Sequence, residues 1–176
     1  MANKEALREL QGRLAERLQE VRSIERTVGW LAVECAGHAF LFPLAEAGEI
    51  FQPETLLSVP HTEPWFLGVA NLRGVLTGVV DLAGFIGLRD RITPAVREQA
   101  RVVAFNPALE LNGALLIDKL AGLRHADQMT PVTPDGQPQP AFVGGRWLDA
   151  SGRLWQELRL SMLPRDERFL RIIGAE

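Results

Sequence analysis

The side chains able to carry out acid–base, nucleophilic or metal chemistry are few and widely spaced in this chain. The histidines are His38, His61 and His125, and the single cysteine is Cys35. No two of them have the short spacing of a metal-binding motif. Cys35 alternates with apolar residues in a strand-like pattern, which predicts a buried, inert thiol rather than a nucleophile. The chain has no tyrosine, which removes one common proton donor.

The glycines do not form a phosphate-binding or esterase motif. Five of them lie within residues 60–88, but their spacing is not that of a GxGxxG loop. No Gly-x-Ser-x-Gly sequence occurs. We expect Gly68 and Gly74 to occupy turn or bulge positions, because glycine tolerates positive φ and close backbone approach. The sequence therefore predicts no cofactor, no metal ion and no catalytic residue.

The most informative stretch is residues 60–88, PHTEPWFLGVANLRGVLTGVVDLAGFIGL, which combines turn signals, two strands and a short helix. Apolar residues and glycines fill nearly all of its second part except Asn71, Arg73, Thr77 and Asp81. A buried charge is costly unless it is paired, so Arg73 and Asp81 either bond inside the fold or face a partner. We expect Asn71 to tie a turn to the neighbouring backbone, and Asp81 to end a strand or cap a helix.

The elements that must position these residues are short strands and turns. Residues 30–36 and 39–44 have strand patterns and flank a turn. Asn112-Gly113 is a hairpin signal, and residues 114–120 predict the strand that follows it. Residues 89–98 are expected to form a polar connection. Many short antiparallel strands with small helices predict closed or nearly closed β-barrels. Residues 130–140 hold four prolines and predict a loop. Residues 161–172 predict a C-terminal helix with a proline in its first turn.

Residues 1–27 differ from the rest, and we expect them to form an amphipathic helical extension ahead of one domain over residues 28–176. Their apolar residues recur every three or four positions and make one narrow stripe. The stripe consists of Leu7, Leu10, Leu14, Leu18, Val21 and Ile24. A solitary helix is marginal in water, so the stripe is expected to dock on its own domain, on a partner, or in self-association.

The bulk composition is that of an ordinary globular protein with a formal net charge of −3. This charge argues against a nucleic-acid surface as the main function. No uncharged apolar run approaches the roughly 18–20 residues that cross a bilayer, and the first residues lack the apolar core of a signal peptide. We therefore expect a cytoplasmic protein without direct membrane insertion.

Three strings of residues resemble one known family. WFLGVANLRG at 65–74, VVDL at 79–82 and FIGL at 85–88 resemble the central signature of the CheW-like adaptors of bacterial chemotaxis. The resemblance extends more weakly over about residues 29–173, in order and spacing. The chemotaxis members usually place a proline shortly before the VVDL string, where this chain has Thr77-Gly78.

Three features resemble one branch of this family. The missing proline, the Trp65-Phe66 pair and the strand around Trp155-Gln156 resemble the PilI branch, which controls twitching by type IV pili. The family resemblance implies a mainly β fold, with two small five-stranded SH3-like barrels that share a hydrophobic seam, and short helices.

The resemblance also implies a function and partners. It implies a non-enzymatic adaptor that couples the cytoplasmic tip of a methyl-accepting chemoreceptor, here PilJ-like, to the regulatory domain of a CheA-type histidine kinase, here ChpA-like. Receptor helices would dock in a groove between the barrels. The adaptor would be cytoplasmic and recruited to a membrane-associated receptor array.

The resemblance finally places a glutamate, here Glu49, opposite the arginine of the NLRG string, Arg73. We expect these two to form an ion pair that locks two strands, contacts the receptor or kinase, or does both. Trp65 lies beside two prolines, and its exposure to solvent decides whether it packs in the core or faces a partner. The residues expected to bind partners or to shape the interface are Glu49, Trp65, Gly68, Asn71, Arg73, Gly74 and Asp81.

Two alternatives from other classes stay open at this stage. In the first, Asp81, Arg73 and His61 line the pocket of a small β-barrel enzyme or small-molecule-binding domain. In the second, the chain is an RNA-binding barrel with a basic face. That face would be formed by Arg89, Arg91, Arg97 and Arg101.

Overall fold

The computed structural model describes residues 28–53, 55–133 and 136–173, and these residues form two β-sheets with short helices between them. The helical extension predicted over residues 1–27 lies outside the described residues. Of the described helices, none is long and apolar enough to cross a lipid bilayer.

The first sheet contains strands from both ends of the domain. Its strands are β1 (Val28–Cys35), β2 (His38–Pro43), β8 (Lys119–His125), β9 (Thr130–Val132), β10 (Val143–Leu148) and β11 (Leu154–Leu158). They are hydrogen-bonded in the order β8-β1-β2-β11-β10-β9. The β1–β2 turn has two residues with positive φ, Ala36 and Gly37, as a tight hairpin requires. Strand β11 joins β2 in parallel, which brings the C-terminal hairpin against the N-terminal one.

The second sheet is formed by the middle of the chain. Its strands are β3 (Ala47–Phe51), β4 (Phe66–Leu72), β5 (Val75–Asp81), β6 (Arg101–Phe105) and β7 (Gly113–Ile117). They are hydrogen-bonded in the order β3-β6-β7-β5-β4, so β3 and β4 are the edges. β5 pairs with β7 in parallel and with β4 in an antiparallel hairpin.

Three short α-helices are described, α1 (Leu82–Phe85), α2 (Pro94–Gln99) and α3 (Glu167–Leu170). The helix predicted over residues 161–172 is wrong in its extent, because the structure has a 3₁₀ helix, Leu160–Arg165, followed by α3. Pro164 lies inside the 3₁₀ helix and has no N–H to extend it. Asp166 then starts α3 by accepting a hydrogen bond from Arg168 N.

The sequence pattern also misplaces one strand boundary. It predicts one strand over residues 114–120, whereas β7 ends at Ile117 and β8 begins at Lys119. Asp118 lies between them, where the chain passes from the second sheet to the first. Its carboxylate is occupied by tertiary bonds described below, which a local pattern does not reveal.

Apolar side chains form three clusters, one within each sheet and one between the sheets. Trp30, Ala32 and Trp155 belong to the cluster of the first sheet, whereas Leu31 and Val33 belong to the cluster between the sheets. β1 is therefore buried on both faces, which explains its nearly continuous apolar sequence. The cluster between the sheets is the predicted hydrophobic seam. The predicted mainly β fold with two sheets is confirmed, although the first sheet gains a sixth strand, β9, through its pairing with β10.

Candidate functional site

The candidate site is centred on the β4–β5 hairpin, whose turn consists of Arg73 and Gly74. Leu72 pairs with Val75, and the two turn residues have φ of 51° and 86°. Positive φ at both positions matches the right-handed twist of a hairpin. The Asn71 side-chain carbonyl, Oδ1, accepts a hydrogen bond of 2.7 Å from Gly74 N, so the predicted turn-tying amide is confirmed.

Arg73 forms the predicted ion pair with Glu49. The distance from Arg73 Nη2 to Glu49 Oε1 is 2.5 Å. Glu49 lies in β3, one edge of the second sheet, and the hairpin turn adjoins β4, the other edge. The pair thus connects the two edges of this sheet. Arg73 therefore bonds within the protein, which is one of the two expected alternatives, but the side chains of Arg73 and Glu49 remain 75% and 45% exposed. The reason is that the turn projects from the end of the sheet, beyond its apolar interior.

A cavity of about 310 Å³ opens beside this ion pair. Its walls are mainly apolar and come from β3, from the β4–β5 hairpin and from the segment that joins β6 to β7. The apolar lining includes Phe51, Leu72, Val75, Phe105, Pro107 and Leu111. Glu49 and Arg73 are the charged residues among those that line it in the described part of the chain. The arrangement is an apolar recess with one exposed ion pair.

Gly68 lies where a second backbone crosses close to β4. A Cβ atom at Gly68 would overlap the carbonyl oxygen of Leu57, and the φ of Gly68 is 122°. Leu57 and Val69 exchange two backbone hydrogen bonds of 2.9 Å each. The β4–β5 register shifts between Phe66 and Gly68, which marks a bulge. The predicted conformational requirement for glycine at this position is confirmed.

Asp81 is bound inside the fold and not at the hairpin. It is 3% exposed, and its two carboxylate oxygens accept hydrogen bonds from Arg89 Nε at 2.9 Å and from Arg89 Nη2 at 2.6 Å. Arg89 Nη1 lies 2.5 Å from Asp118 Oδ1, and Asp118 Oδ2 accepts a hydrogen bond of 2.8 Å from Ala36 N. This Asp81–Arg89–Asp118 cluster therefore links the end of β5 in the second sheet to the β1–β2 turn in the first. Asp81 holds the N-cap position of α1, but its side chain makes no capping bond.

Arg89 and Asp118 are structural residues that the sequence analysis missed. The sequence does contain a signal for this cluster, because Asp81 ends one strand with a buried apolar run and Asp118 directly follows another, and a buried carboxylate needs a cation. Burial alone would lower the pKa of Arg89, but its hydrogen bonds to Asp81 and Asp118 outweigh this effect and raise the pKa above its ordinary value. Arg89 is therefore a fixed cation.

Trp65 lies in the seam and not beside the hairpin turn. Its ring is 5.2 Å from the Phe85 ring in a T-shaped arrangement and 6.4 Å from the Phe169 ring in a stacked one. It is half-buried, and its open side borders a cleft with Glu63 and Arg168. Trp65 therefore stabilises the packing between the sheets and presents part of its surface to solvent.

The residues of the enzyme alternative do not converge. Arg73 and Asp81 lie at opposite ends of β5, and six residue steps of an extended strand span roughly 20 Å. Neither Asp81 nor His61 lines the cavity beside Arg73. Within the described residues, no three His, Cys, Asp or Glu side chains are grouped as metal ligands would be. The expectation of a pocket shared by Asp81, Arg73 and His61 is therefore wrong.

The RNA-binding alternative requires four arginines on one exposed face. The Arg89 side chain, however, is only 10% exposed and is paired with two aspartates. Arg101 is half-buried and donates to the backbone carbonyls of Gln99 and Ala100. The four arginines do not form one exposed basic face.

Cys35 is fully buried in the seam, as predicted. Burial raises the pKa of its thiol to about 12. The thiol is thus protonated and shielded from solvent.

Three comparisons with known proteins agree with this architecture. Residues 29–168 match the sequence model of the CheW-like domain. A relative, Protein PilI of Pseudomonas aeruginosa strain PAO1, is 29% identical over 139 residues, which are 76% of this chain and 74% of that protein. The crystal structure of the scaffolding protein TtCheW from Thermoanaerobacter tengcongensis superposes with a TM-score of 0.63 at 18% identity, covering 76% of this chain and 90% of that one. At this identity the structural likeness shows the fold.

Proposed function

The chain belongs to the CheW-like domain family, and from this premise we propose that it is a non-enzymatic adaptor that couples a methyl-accepting chemoreceptor to a CheA-type histidine kinase. Its likeness to PilI supports a place in the chemosensory control of type IV pili and twitching motility. The partners would then be a PilJ-like receptor tip and the regulatory domain of a ChpA-like kinase. The adaptor would act in the cytoplasm, recruited to the receptor array.

The observation that carries this proposal is the exposed ion pair at a strained turn. A non-glycine residue in left-handed backbone costs about 1–2 kcal/mol. An exposed ion pair contributes only about 0–1 kcal/mol to the stability of the fold. Because glycine or asparagine would suit this turn better, stability does not explain an arginine at position 73. Recognition of a partner explains the arginine, because residues with a strained backbone are concentrated at functional sites.

Exposed apolar residues adjoin the ion pair in sequence and support the same assignment. Ile50 follows Glu49 and is 39% exposed, while Val75 and Leu76 follow the turn and are 47% and 63% exposed. Apolar surface with a charged rim is typical of the centre of a transient protein interface. We assign this hairpin end to the kinase.

The receptor is assigned to the groove between the two sheets. Trp65 is half-buried there, and the Asp81–Arg89–Asp118 cluster holds the sheets together beneath it. The adaptor then carries no reaction. It transmits the receptor state because the two states of the assembly make different contacts with it.

The test measures the affinity of the purified chain for two baits, the kinase regulatory domain and the receptor tip. Arg73→Asn removes the charge but suits the left-handed turn, so the fold is retained. We expect affinity for the kinase domain to fall about tenfold or more, since charged rim contacts to a partner are lost. Affinity for the receptor tip is expected to stay the same. Arg91→Ala, which removes another exposed arginine, is the matched control.

Equal kinase affinity for Arg73→Asn and the unaltered chain would remove Arg73 from the interface. Failure of the folded, unaltered chain to bind either bait would overturn the adaptor proposal.

A further inference from the structure

We infer that the last part of the apolar stripe in residues 1–27 docks on an apolar patch of the same chain, beside the start of β1. The patch is formed by Leu44 and Leu123. The docking side chains are the last three of the stripe, namely Leu18, Val21 and Ile24. The partner of this surface is therefore the segment that leads into it.

The Leu44–Leu123 patch lies on the face of the first sheet that forms the seam. Leu123 pairs with Leu31 of the cluster between the sheets, and paired residues point to the same side of a sheet. Leu44 is two residues beyond Phe42 of the same cluster. Its N–H bonds the carbonyl of Gly29, so the β1–β2 ladder extends to it. Leu44 is 36% exposed and Leu123 is 49% exposed, so both have apolar surface to bury.

The chain that leads into β1 is too short to carry the end of the stripe far away. Ile24 is four residues before Val28, so their Cα atoms are at most about 14 Å apart in any conformation. Strand geometry places the Leu44–Leu123 patch within roughly 12 Å of Val28. A short tether gives an effective concentration on the order of millimolar. A small apolar patch is therefore enough to hold the stripe.

The spacing of the stripe matches the width of the patch. Leu44 follows β2 and Leu123 lies in β8, with β1 between them, so they are two strand spacings apart across the sheet, roughly 9–10 Å. Leu18 and Ile24 are six residues apart, which is about 9 Å along a helix, and Val21 lies between them on the same side. Six basic and five acidic residues nearly balance in residues 1–27, so the stripe offers apolar contact rather than a net charge.

Docking on this patch makes the segment a competitor of the receptor, and this step rests on the proposed function. The groove between the sheets is the surface assigned to the receptor tip, and the patch belongs to its first-sheet side. An amphipathic stripe and a receptor helix would both lay an apolar face there. The receptor then binds only those chains whose segment is released, and its apparent affinity falls by that fraction.

A disulfide crosslink within the entire chain tests the docking. Leu123→Cys is combined with Val21→Cys, and the matched control combines Leu123→Cys with Ser23→Cys. Ser23 is nearer to β1 but lies opposite the stripe on a helix, so reach alone favours the control. Cys35 is buried and does not compete for oxidation. We expect the pair with Val21→Cys to close an intrachain disulfide about tenfold faster than the control.

Two outcomes of the crosslink would overturn the inference. Equal rates for the two pairs would show that the tether, and not the stripe, brings the thiols together. A disulfide-linked dimer in place of the intrachain bond would identify a second copy of the chain as the occupant of the patch.

Receptor-tip affinity tests the competition without added cysteines. Ile24→Asp places a charge in the stripe, whereas Ser23→Asp adds the same charge on the opposite side. We expect Ile24→Asp to bind the receptor tip about tenfold more tightly than the unaltered chain, as for a segment that is released about a tenth of the time. Ser23→Asp is expected to match the unaltered chain. Equal or weaker binding by Ile24→Asp would overturn the competition.

The two proposals fail in distinguishable ways. If the chain binds the receptor tip but the pair with Val21→Cys crosslinks no faster than its control, the docking inference is overturned and the adaptor function stands. If neither the unaltered chain nor Ile24→Asp binds either bait, the adaptor function fails and the competition fails with it. The crosslink still decides the docking in that case.

Discussion

Arg73 occupies a backbone conformation that glycine or asparagine adopts at lower cost, and its neighbours compensate for this. Asn71 bonds Gly74 N across the turn, and Glu49 holds the guanidinium from the opposite sheet edge. Each of these contacts is worth little alone, because the turn is open to water. Their combined effect is to hold a charged pair in one place, which matters more for recognition than for stability.

Gly68 and Gly74 both have positive φ, yet they are expected to tolerate alanine differently. A Cβ atom at Gly68 overlaps the Leu57 carbonyl oxygen, whereas a Cβ at Gly74 has nothing within 4 Å. We expect Gly68→Ala to lower the free energy of unfolding by about 2–3 kcal/mol, because strain and a backbone clash combine. Gly74→Ala is expected to cost only about 1 kcal/mol from the left-handed backbone. Urea denaturation of the two variants measures both values, and equal losses would refute the backbone contact at Gly68.

Cys35 provides a pH-dependent prediction. Burial raises its pKa to about 12, whereas the ordinary pKa of a thiol is 9.0. Between these values the folded chain binds more protons than the unfolded chain, so this thiol lowers the stability as pH rises above about 9. Cys35→Ser or Cys35→Ala should abolish that dependence.

Reactivity gives a simpler check of the same thiol. At pH 8 we expect Cys35 to react with a thiol reagent only as fast as the domain opens, and immediately after denaturation. Fast reaction of the folded chain would show that the seam is open at Cys35.

At the scale of elements, the hairpins and turns could be predicted from residues that are close in sequence. The β4–β5 hairpin lies where the apolar runs and Arg73-Gly74 indicated, because turn chemistry is local. The helix α2 was expected only as a polar connection, although Thr93 caps it and Pro94 begins it. These two residues are a recognisable helix start, so this element was predictable from the sequence.

The boundary between β7 and β8 depended instead on contacts with residues that are distant in sequence. Asp118 separates β7 from β8 because its carboxylate bonds Arg89 and Ala36 N, and these residues are far from it in sequence. The strand pattern continues across Asp118, and only the change of sheet interrupts it. A pattern of alternating residues does not contain that information.

For the whole molecule, the Asp81–Arg89–Asp118 cluster is a charged link between two sheets whose shared core is mainly apolar. Removal of Arg89 would leave the buried Asp81 carboxylate and the partly buried Asp118 carboxylate without a cation. We expect Arg89→Met to lower the free energy of unfolding by about 3–5 kcal/mol. Chemical denaturation measures this loss, and Arg91→Met, an exposed neighbour, is the control and is expected to change stability by less than about 0.5 kcal/mol. A loss as small as that of the control would show that the cluster does not hold the sheets together.

The sequence by itself determined what neighbouring residues control. It determined the mainly β fold, the strained hairpin turn, the glycine at the bulge and, through resemblance to a family, the Arg73–Glu49 pair. Only the tertiary structure decided that this pair is exposed beside an apolar cavity, that Asp81 belongs to Arg89, and that Trp65 lies in the seam. The physical reason is that turn and strand preferences act over a few residues. Burial and charge pairing depend instead on which distant segments the packed chain brings together.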